Sequence, residues 1–149
     1  PPLAALQDKF GVENVFVTTF QAVSGAGYPG VPSLDIMDNV LPYIAGEEPK
    51  VETEAQKILG KFDGRHIEKA DFLVSAQCFR VPVIDGHTAS VRVKLKRTST
   101  LEEVVAAISE YPNLNLISSP KPFMCITDEP DRPLPRLDRD RGRGMTITI

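Results

Sequence analysis

In the run Cys78-Phe79-Arg80-Val81-Pro82-Val83-Ile84-Asp85-Gly86-His87 and its flanks, side chains alternate with the period of a β-strand. Before the run's turn, Arg80 has the parity of Val74, Ala76 and Cys78. After it, His87 has the parity of Ala89, Val91, Val93 and Leu95, while Thr88, Ser90, Arg92, Lys94 and Lys96 take the other face. Successive strand side chains point to opposite faces, so two strands are expected, over 72–83 and 87–97, with Arg80 and His87 turned inward. Pro82 suits a strand end and Asp85-Gly86 suits a turn. A buried guanidinium needs an anionic partner, and a buried imidazole needs a hydrogen-bonded role. Two readings are open at this point: an Arg–carboxylate pair beside a core histidine, or an anion-binding arginine next to an acid/base group.

The chain has the length of one ordinary domain, 149 residues, with 42% hydrophobic and 25% charged side chains. That balance describes a folded globular protein. A net charge of −3, with basic and acidic residues interleaved, gives no reason to expect a nucleic-acid partner. No apolar run approaches the roughly 20 residues of a membrane span, and residues 1–15 lack the basic-then-apolar pattern of a signal peptide. Cys78 and Cys125 sit in strand-like apolar contexts and read as reduced, structural thiols in a cytoplasmic setting. Two cysteines and two histidines, far apart, have no metal-ligand spacing, and no metal site is expected.

Residues 1–11 read as an amphipathic helix stopped by Gly11. Asn14 to Gln21 is β-branched and aromatic, a strand that runs into a Gly- and Pro-rich loop over 24–32. Leu34 to Ile44 suggests a short helix broken near Pro42. A longer helix is expected over 47–59, with Val51, Ala55, Ile58, Leu59 and Phe62 as its apolar stripe. Glu54 and Lys57 share one face of it; as an exposed pair they would contribute only about 0.2–0.5 kcal/mol. Thr100-Leu101-Glu102-Glu103 forms a capping box opening a helix that turns Leu101, Val104, Val105 and Ile108 inward. From Pro120 to Gly144 the chain is proline-rich, then alternates charges. This stretch reads as a solvated connection or an interface segment. The order of elements indicates α/β (α+β): a mixed, largely antiparallel sheet with helices packed on one face. Both ends read as interrupted elements, so the chain is expected to be one domain, 1–149, truncated at both ends.

Taken together, Gln21-Ala22-Val23-Ser24-Gly25-Ala26-Gly27, Glu54-Ala55-Gln56-Lys57-Ile58-Leu59 and Arg80-x6-His87 resemble the C-terminal half of aspartate-semialdehyde dehydrogenase, fungal-like branch. Thr18-Thr19-Phe20-Gln21, Gly30-Val31-Pro32-Ser33-Leu34-Asp35 and the 133–145 segment extend the resemblance over essentially the whole chain.

The resemblance implies a catalytic and dimerisation domain like that of glyceraldehyde-3-phosphate dehydrogenase, with an NADP-binding Rossmann domain elsewhere in the polypeptide. It implies interconversion of aspartyl phosphate and aspartate semialdehyde through a cysteine thioester, and a homodimer or tetramer built through this domain. Carried over residue by residue, it makes His87 the acid/base and Gln21 the group that orients substrate at the thiol. Arg80 would hold the substrate carboxylate, Glu54 its ammonium and Lys57 the phosphate. Ser24 and Gly25 would approach the nicotinamide end of NADP. The family's nucleophilic cysteine falls upstream of Pro1, so the chain alone is expected to be inactive. A self-association module of the same fold, or a related N-acetylglutamyl-phosphate reductase, are the alternative readings.

Overall fold

The computed structural model describes all 149 residues, which form two compact units: residues 12–96, and residues 1–11 with 97–149. In chain order the elements are α1 (Pro2–Phe10), β1 (Val12–Gln21), α2 (Ser33–Ile36), α3 (Glu47–Ile58), β2 (Lys61–Phe62) and β3 (Ile67–Glu68). They are followed by β4 (Leu73–Arg80), β5 (Thr88–Leu95), α4 (Leu101–Ser109), β6 (Met124–Cys125), α5 (Pro135–Asp138) and β7 (Ile147–Thr148). Segregated helices and a mixed sheet are the α+β arrangement that the element order implied.

In the unit of residues 12–96 the main sheet has the order β4-β1-β5. β1 is parallel to β4 and antiparallel to β5. The two strands flanking the Arg80–His87 run are therefore not neighbours, because β1 lies between them. Residues 81–87 cross its end, tied down by Val81 N–H to the Gln21 carbonyl (3.0 Å), Val23 N–H to that of Val83 (2.8 Å) and Ser24 N–H to that of Ile84 (3.1 Å).

Register puts Val15, Val17, Thr19 and Gln21 beside Val74, Ala76, Cys78 and Arg80 on one face, with Val93, Val91 and Ala89 continuing it on β5. On β1 and β4 this row is buried at Val15, Gln21, Ala76, Cys78 and Arg80. On β5 the inward expectation fails: Ala89, Val91 and His87 are exposed. The reason is positional. α3 packs along β4, with β1 between it and β5. The opposite face carries Phe16 and Phe20 of β1 against Leu73 and Phe79 of β4; Phe16 is 55% and Leu73 71% exposed, and the Phe20 and Phe79 rings stack at 6.1 Å.

The stripe expected on α3 is also corrected. No α3 residue is fully buried, and Ile58 and Phe62 are exposed. Hydrogen bonds fix the helix instead. Glu48 Oε1 accepts from the Cys78 N–H (3.2 Å), Glu52 Oε1 from the Ala76 N–H (3.0 Å), and Gln56 Nε2 donates to the Phe72 carbonyl (2.8 Å). Carboxylates do this where an apolar seam was expected because β4 is an edge strand whose outward amides need acceptors. The helix expected over 34–44 shrinks to α2, and Leu41 instead pairs with Arg80 in an antiparallel bridge.

In the other unit, α1 ends at Gly11, whose N–H bonds the Gln7 carbonyl at 3.0 Å and whose φ of 70° turns the chain out of the helix. α1 packs on α4. The capping box of α4 is present: Thr100 Oγ1 accepts from the Glu103 N–H (3.3 Å) and Glu103 Oε2 from the Thr100 N–H (3.0 Å). Ile108 is buried, but Leu101 and Val105 are exposed; the inward row runs through Val104, Ala107 and Ile108, the i, i+3, i+4 set.

The charge-rich 136–144 segment is more than a solvated connection. Asp138 is buried. It accepts from Arg132 Nε (2.9 Å), from Arg132 Nη2, and from the Leu134 N–H (2.7 Å), and it pairs with Arg141 at 3.0 Å. The Arg132 hydrogen bonds, chiefly, depress its pKa to about 2. A carboxylate with a lowered folded-state pKa stabilises the fold above its unfolded pKa and loses that contribution as pH falls through the folded one. Unfolding midpoints in urea should therefore drop between about pH 4 and pH 2. Asp138→Asn should lower the midpoint at pH 7 and flatten its decline in that acid window.

Candidate active site

Three chain segments deliver polar side chains to one end of the main sheet. Because β1 and β4 are parallel, their C-terminal residues Gln21 and Arg80 pair side by side. Because β5 is antiparallel to β1, its start meets the same end, with Thr88 opposite Phe20 and His87 immediately before it. A polar group at a strand end can face both the sheet's buried layer and the outside.

Arg80 is buried, and its Nη1 donates to the Ala22 carbonyl at 2.8 Å. His87 is exposed and accepts the Ala22 N–H on Nδ1 at 3.0 Å. The same peptide-flanking residue thus orients both groups. With Nδ1 engaged as acceptor, the neutral ring carries its proton on Nε2, which faces Gly25. Gly25 makes this packing possible. A Cβ there would stand 2.9 Å from Arg80 Nη1 and 3.1 and 3.2 Å from His87 Cε1 and Nε2. Any side chain would push the guanidinium or the imidazole aside. Ser24, next to it, is exposed, with its N–H committed to Ile84.

Gln21, buried, donates through Nε2 to Glu47 Oε2 at 3.1 Å and is 3.4 Å from Thr19 Oγ1. Glu47 opens α3, and Lys50, one turn on, approaches its other oxygen at 3.3 Å. The hydrogen bond from Gln21, then Lys50 and the charge of Arg80, hold the Glu47 carboxyl below its ordinary pKa against the opposing effect of burial. Glu47 is therefore an ionised carboxylate, oriented by an amide and set near a guanidinium.

Of the residues named from sequence, Gln21, Ser24, Gly25, Arg80 and His87 come together here. Glu54 and Lys57 do not. Both are exposed and line a separate depression with Ile58, Gly60, Phe62 and Ile67. Glu54 lies seven residues beyond Glu47 on the same helix, about 10 Å along its axis. α3 also runs away from Arg80, since Glu48 and Glu52 meet Cys78 and then Ala76. Glu47 and Lys50, which sequence reasoning passed over, lie at this end of the helix instead, with Glu47 on Gln21. Both pairs have the same i, i+3 spacing, so spacing cannot choose between them; the acidic first turn of the helix was the available signal.

The chain matches, over residues 3–149, the family described as semialdehyde dehydrogenase, dimerisation domain. Among curated proteins it is 58% identical to an aspartate-semialdehyde dehydrogenase of Archaeoglobus fulgidus, over 93% of this chain and 40% of that protein. It is 53% identical to one of Aspergillus fumigatus, over 99% of this chain and 44% of that protein. It superimposes with a TM-score of 0.85 on a crystal structure of aspartate semialdehyde dehydrogenase with NADP from Candida albicans, at 43% identity, covering 96% of this chain and 43% of that one. The chain thus spans less than half the length of these relatives. It belongs to the semialdehyde dehydrogenase dimerisation-domain family.

Proposed function

We propose that this chain is the catalytic and dimerisation domain, 1–149, of an NADP-dependent aspartate-semialdehyde dehydrogenase that interconverts L-aspartyl 4-phosphate and L-aspartate 4-semialdehyde. The observation that carries the reading is the convergence of Gln21, Glu47, Arg80 and His87 at one sheet end. The names of relatives 53% and 58% identical support it. An aspartyl substrate brings a carboxylate, an ammonium and a reacting carbonyl, and the cluster has a complement for each.

Arg80 suits the α-carboxylate, because a guanidinium forms paired charge-assisted bonds and Ala22 engages only one side of it. Glu47 suits the ammonium, and Lys50 suits the phosphate as a point charge. These two replace Glu54 and Lys57 in the reading. Gln21 orients the substrate, and His87 presents Nε2–H to the carbonyl oxygen. As a thiolate adds to the aldehyde carbon, the carbonyl electron pair moves to oxygen, and the Nε2 proton stabilises or neutralises it. As the oxygen pair re-forms the carbonyl and the proton returns to Nε2, hydride leaves the same carbon, and NADP would supply its acceptor. Phosphate oxygen then attacks the thioester, and the C–S bond breaks to return the thiolate. Ser24 and Gly25 would hold the nicotinamide end. The low surface at Gly25, where a Cβ would collide with Arg80 and His87, fits a flat ring.

We assign the nucleophile to neither thiol of this chain. Cys78 is wholly buried in mid-strand, and Cys125 accepts a hydrogen bond from Arg141 at 3.0 Å in the other unit. Residues 1–149 by themselves are then inactive, while a polypeptide that adds a cysteine-bearing cofactor domain is active. NADPH formation from aspartate semialdehyde, phosphate and NADP checks both; turnover by residues 1–149 alone would contradict the reading. An N-acetylglutamyl substrate offers no ammonium to Glu47, which weighs against that alternative.

Two predictions follow from the residue roles and the assembly. In the active polypeptide, Glu47→Gln should lower kcat/KM by about 10- to 100-fold, the loss of one charge-assisted contact, while Glu54→Gln should stay within about twofold, as for a solvated surface group. Equal effects would return Glu54 to the site. For assembly we infer a homodimer through the open sheet face of Phe16, Phe20, Leu73 and Phe79. Phe16→Glu should shift the mass by light scattering from dimer to monomer, and an unchanged mass would place the interface elsewhere. The two unpaired thiols support a cytoplasmic setting.

A further inference from the structure

A lone edge strand presents outward N–H and C=O groups that must be paired or covered. On β4 the outward amides alternate with those that face β1 and include those of Ala76, Cys78 and Arg80. Arg80 exchanges both of its backbone hydrogen bonds with Leu41, at 2.9 and 3.0 Å. The next two amides inward are met by side chains: Cys78 N–H by Glu48 Oε1 at 3.2 Å and Ala76 N–H by Glu52 Oε1 at 3.0 Å. At the far end Gln56 Nε2 donates to the Phe72 carbonyl at 2.8 Å, and the Gln56 main-chain carbonyl accepts from the Ala70 N–H at 2.9 Å.

The spacing explains why this works. Four helical residues rise about 6 Å, and two strand residues advance about 6.6 Å. Glu48, Glu52 and Gln56 at i, i+4 and i+8 therefore keep step with the edge of β4. Sliding α3 by half a turn, about 3 Å, would move both carboxylates off their amides, whereas an apolar seam would tolerate intermediate positions. Half-buried Val51 and Ala55 and exposed Ile58 supply little competing apolar register.

We propose that Glu48 and Glu52 are positioning residues: by clamping α3 at one height along β4, they hold Glu47 against Gln21 and near Arg80. Their effect on the reaction passes through Glu47, and this rests on the reading of Glu47 as the ammonium site. Removing them lets the first turn of α3 drift, so the site loses its selectivity for an amino substrate while Arg80 and His87, anchored through Ala22, keep their places.

The test uses the full polypeptide and compares aspartate semialdehyde with succinate semialdehyde, which lacks the ammonium. In Glu48→Ala/Glu52→Ala the ratio of the two kcat/KM values should fall about tenfold toward that of Glu47→Gln. The kcat/KM for succinate semialdehyde should stay within about twofold, as for changes off the reaction path. Glu48→Gln/Glu52→Gln keeps an acceptor oxygen on each side chain and should restore the ratio, and adding Glu47→Gln to the alanine pair should cost nothing further. Parallel loss for both substrates, or an unchanged ratio, would overturn the proposal by reducing the clamp to a structural role or to none. Hydrogen exchange separates the two levels: amides 76 and 78 should lose protection in the alanine pair whether or not the protein acts on either aldehyde. Unchanged protection overturns the clamp itself, and an inactive wild type with that protection lost overturns the proposed function and with it the clamp's role in the reaction.

Discussion

A central strand has to satisfy hydrogen-bonding groups along both of its edges, and β1 does so with a parallel partner, β4, and an antiparallel one, β5. That pair of directions is the constraint on which the rest of the site depends. It brings two strand ends and one strand start to the same end of the sheet, so Gln21, Arg80 and the residue before Thr88 meet there without any long loop reaching in. The crossing segment, tied to Gln21, Val23 and Ser24 by backbone bonds, closes the end of β1. It also leaves Ala22 as the common residue, its N–H bonded to His87 and its carbonyl to Arg80.

The same topology creates a problem at the other side of β4, whose outer edge has no strand to pair with. α3 answers it with hydrogen-bonding side chains, and the solution has a chemical consequence. A helix held by directional bonds sits at one height, and its first turn then presents Glu47 to Gln21. Edge protection and site geometry are thus two results of one set of contacts. Gly25 plays the complementary part on the far side, where the missing Cβ allows a guanidinium and an imidazole to share a surface.

Much of the secondary structure is legible in the residues because it is local. Gly11 as a stop, the Thr100–Glu103 capping box and the alternation of β4 all depend on neighbours in the chain. The parity of Arg80 correctly placed it in the buried row. His87 has the same kind of parity yet is exposed, since burial on β5 depends on which element covers the face, and pattern alone carries no information about that. Strand adjacency was equally invisible: Asp85-Gly86 lies between two expected strands, yet both take β1, far away in sequence, as their partner. The choice between Glu47–Lys50 and Glu54–Lys57 was not legible for a related reason. Two identical spacings on one helix are equivalent until the helix is anchored, and the anchors are Glu48 and Glu52. Asp138 shows the converse, an alternating charge run that reads as solvated and instead buries one carboxylate between two arginines.

We propose that the first turn of α3, and not its last, belongs to the site. A crystal structure of the full polypeptide with aspartate semialdehyde bound decides it most directly. The substrate ammonium should lie within about 3 Å of the Glu47 carboxylate and its carboxylate on the Arg80 guanidinium. Density for the ammonium against Glu54, with Glu47 turned to solvent, would contradict it.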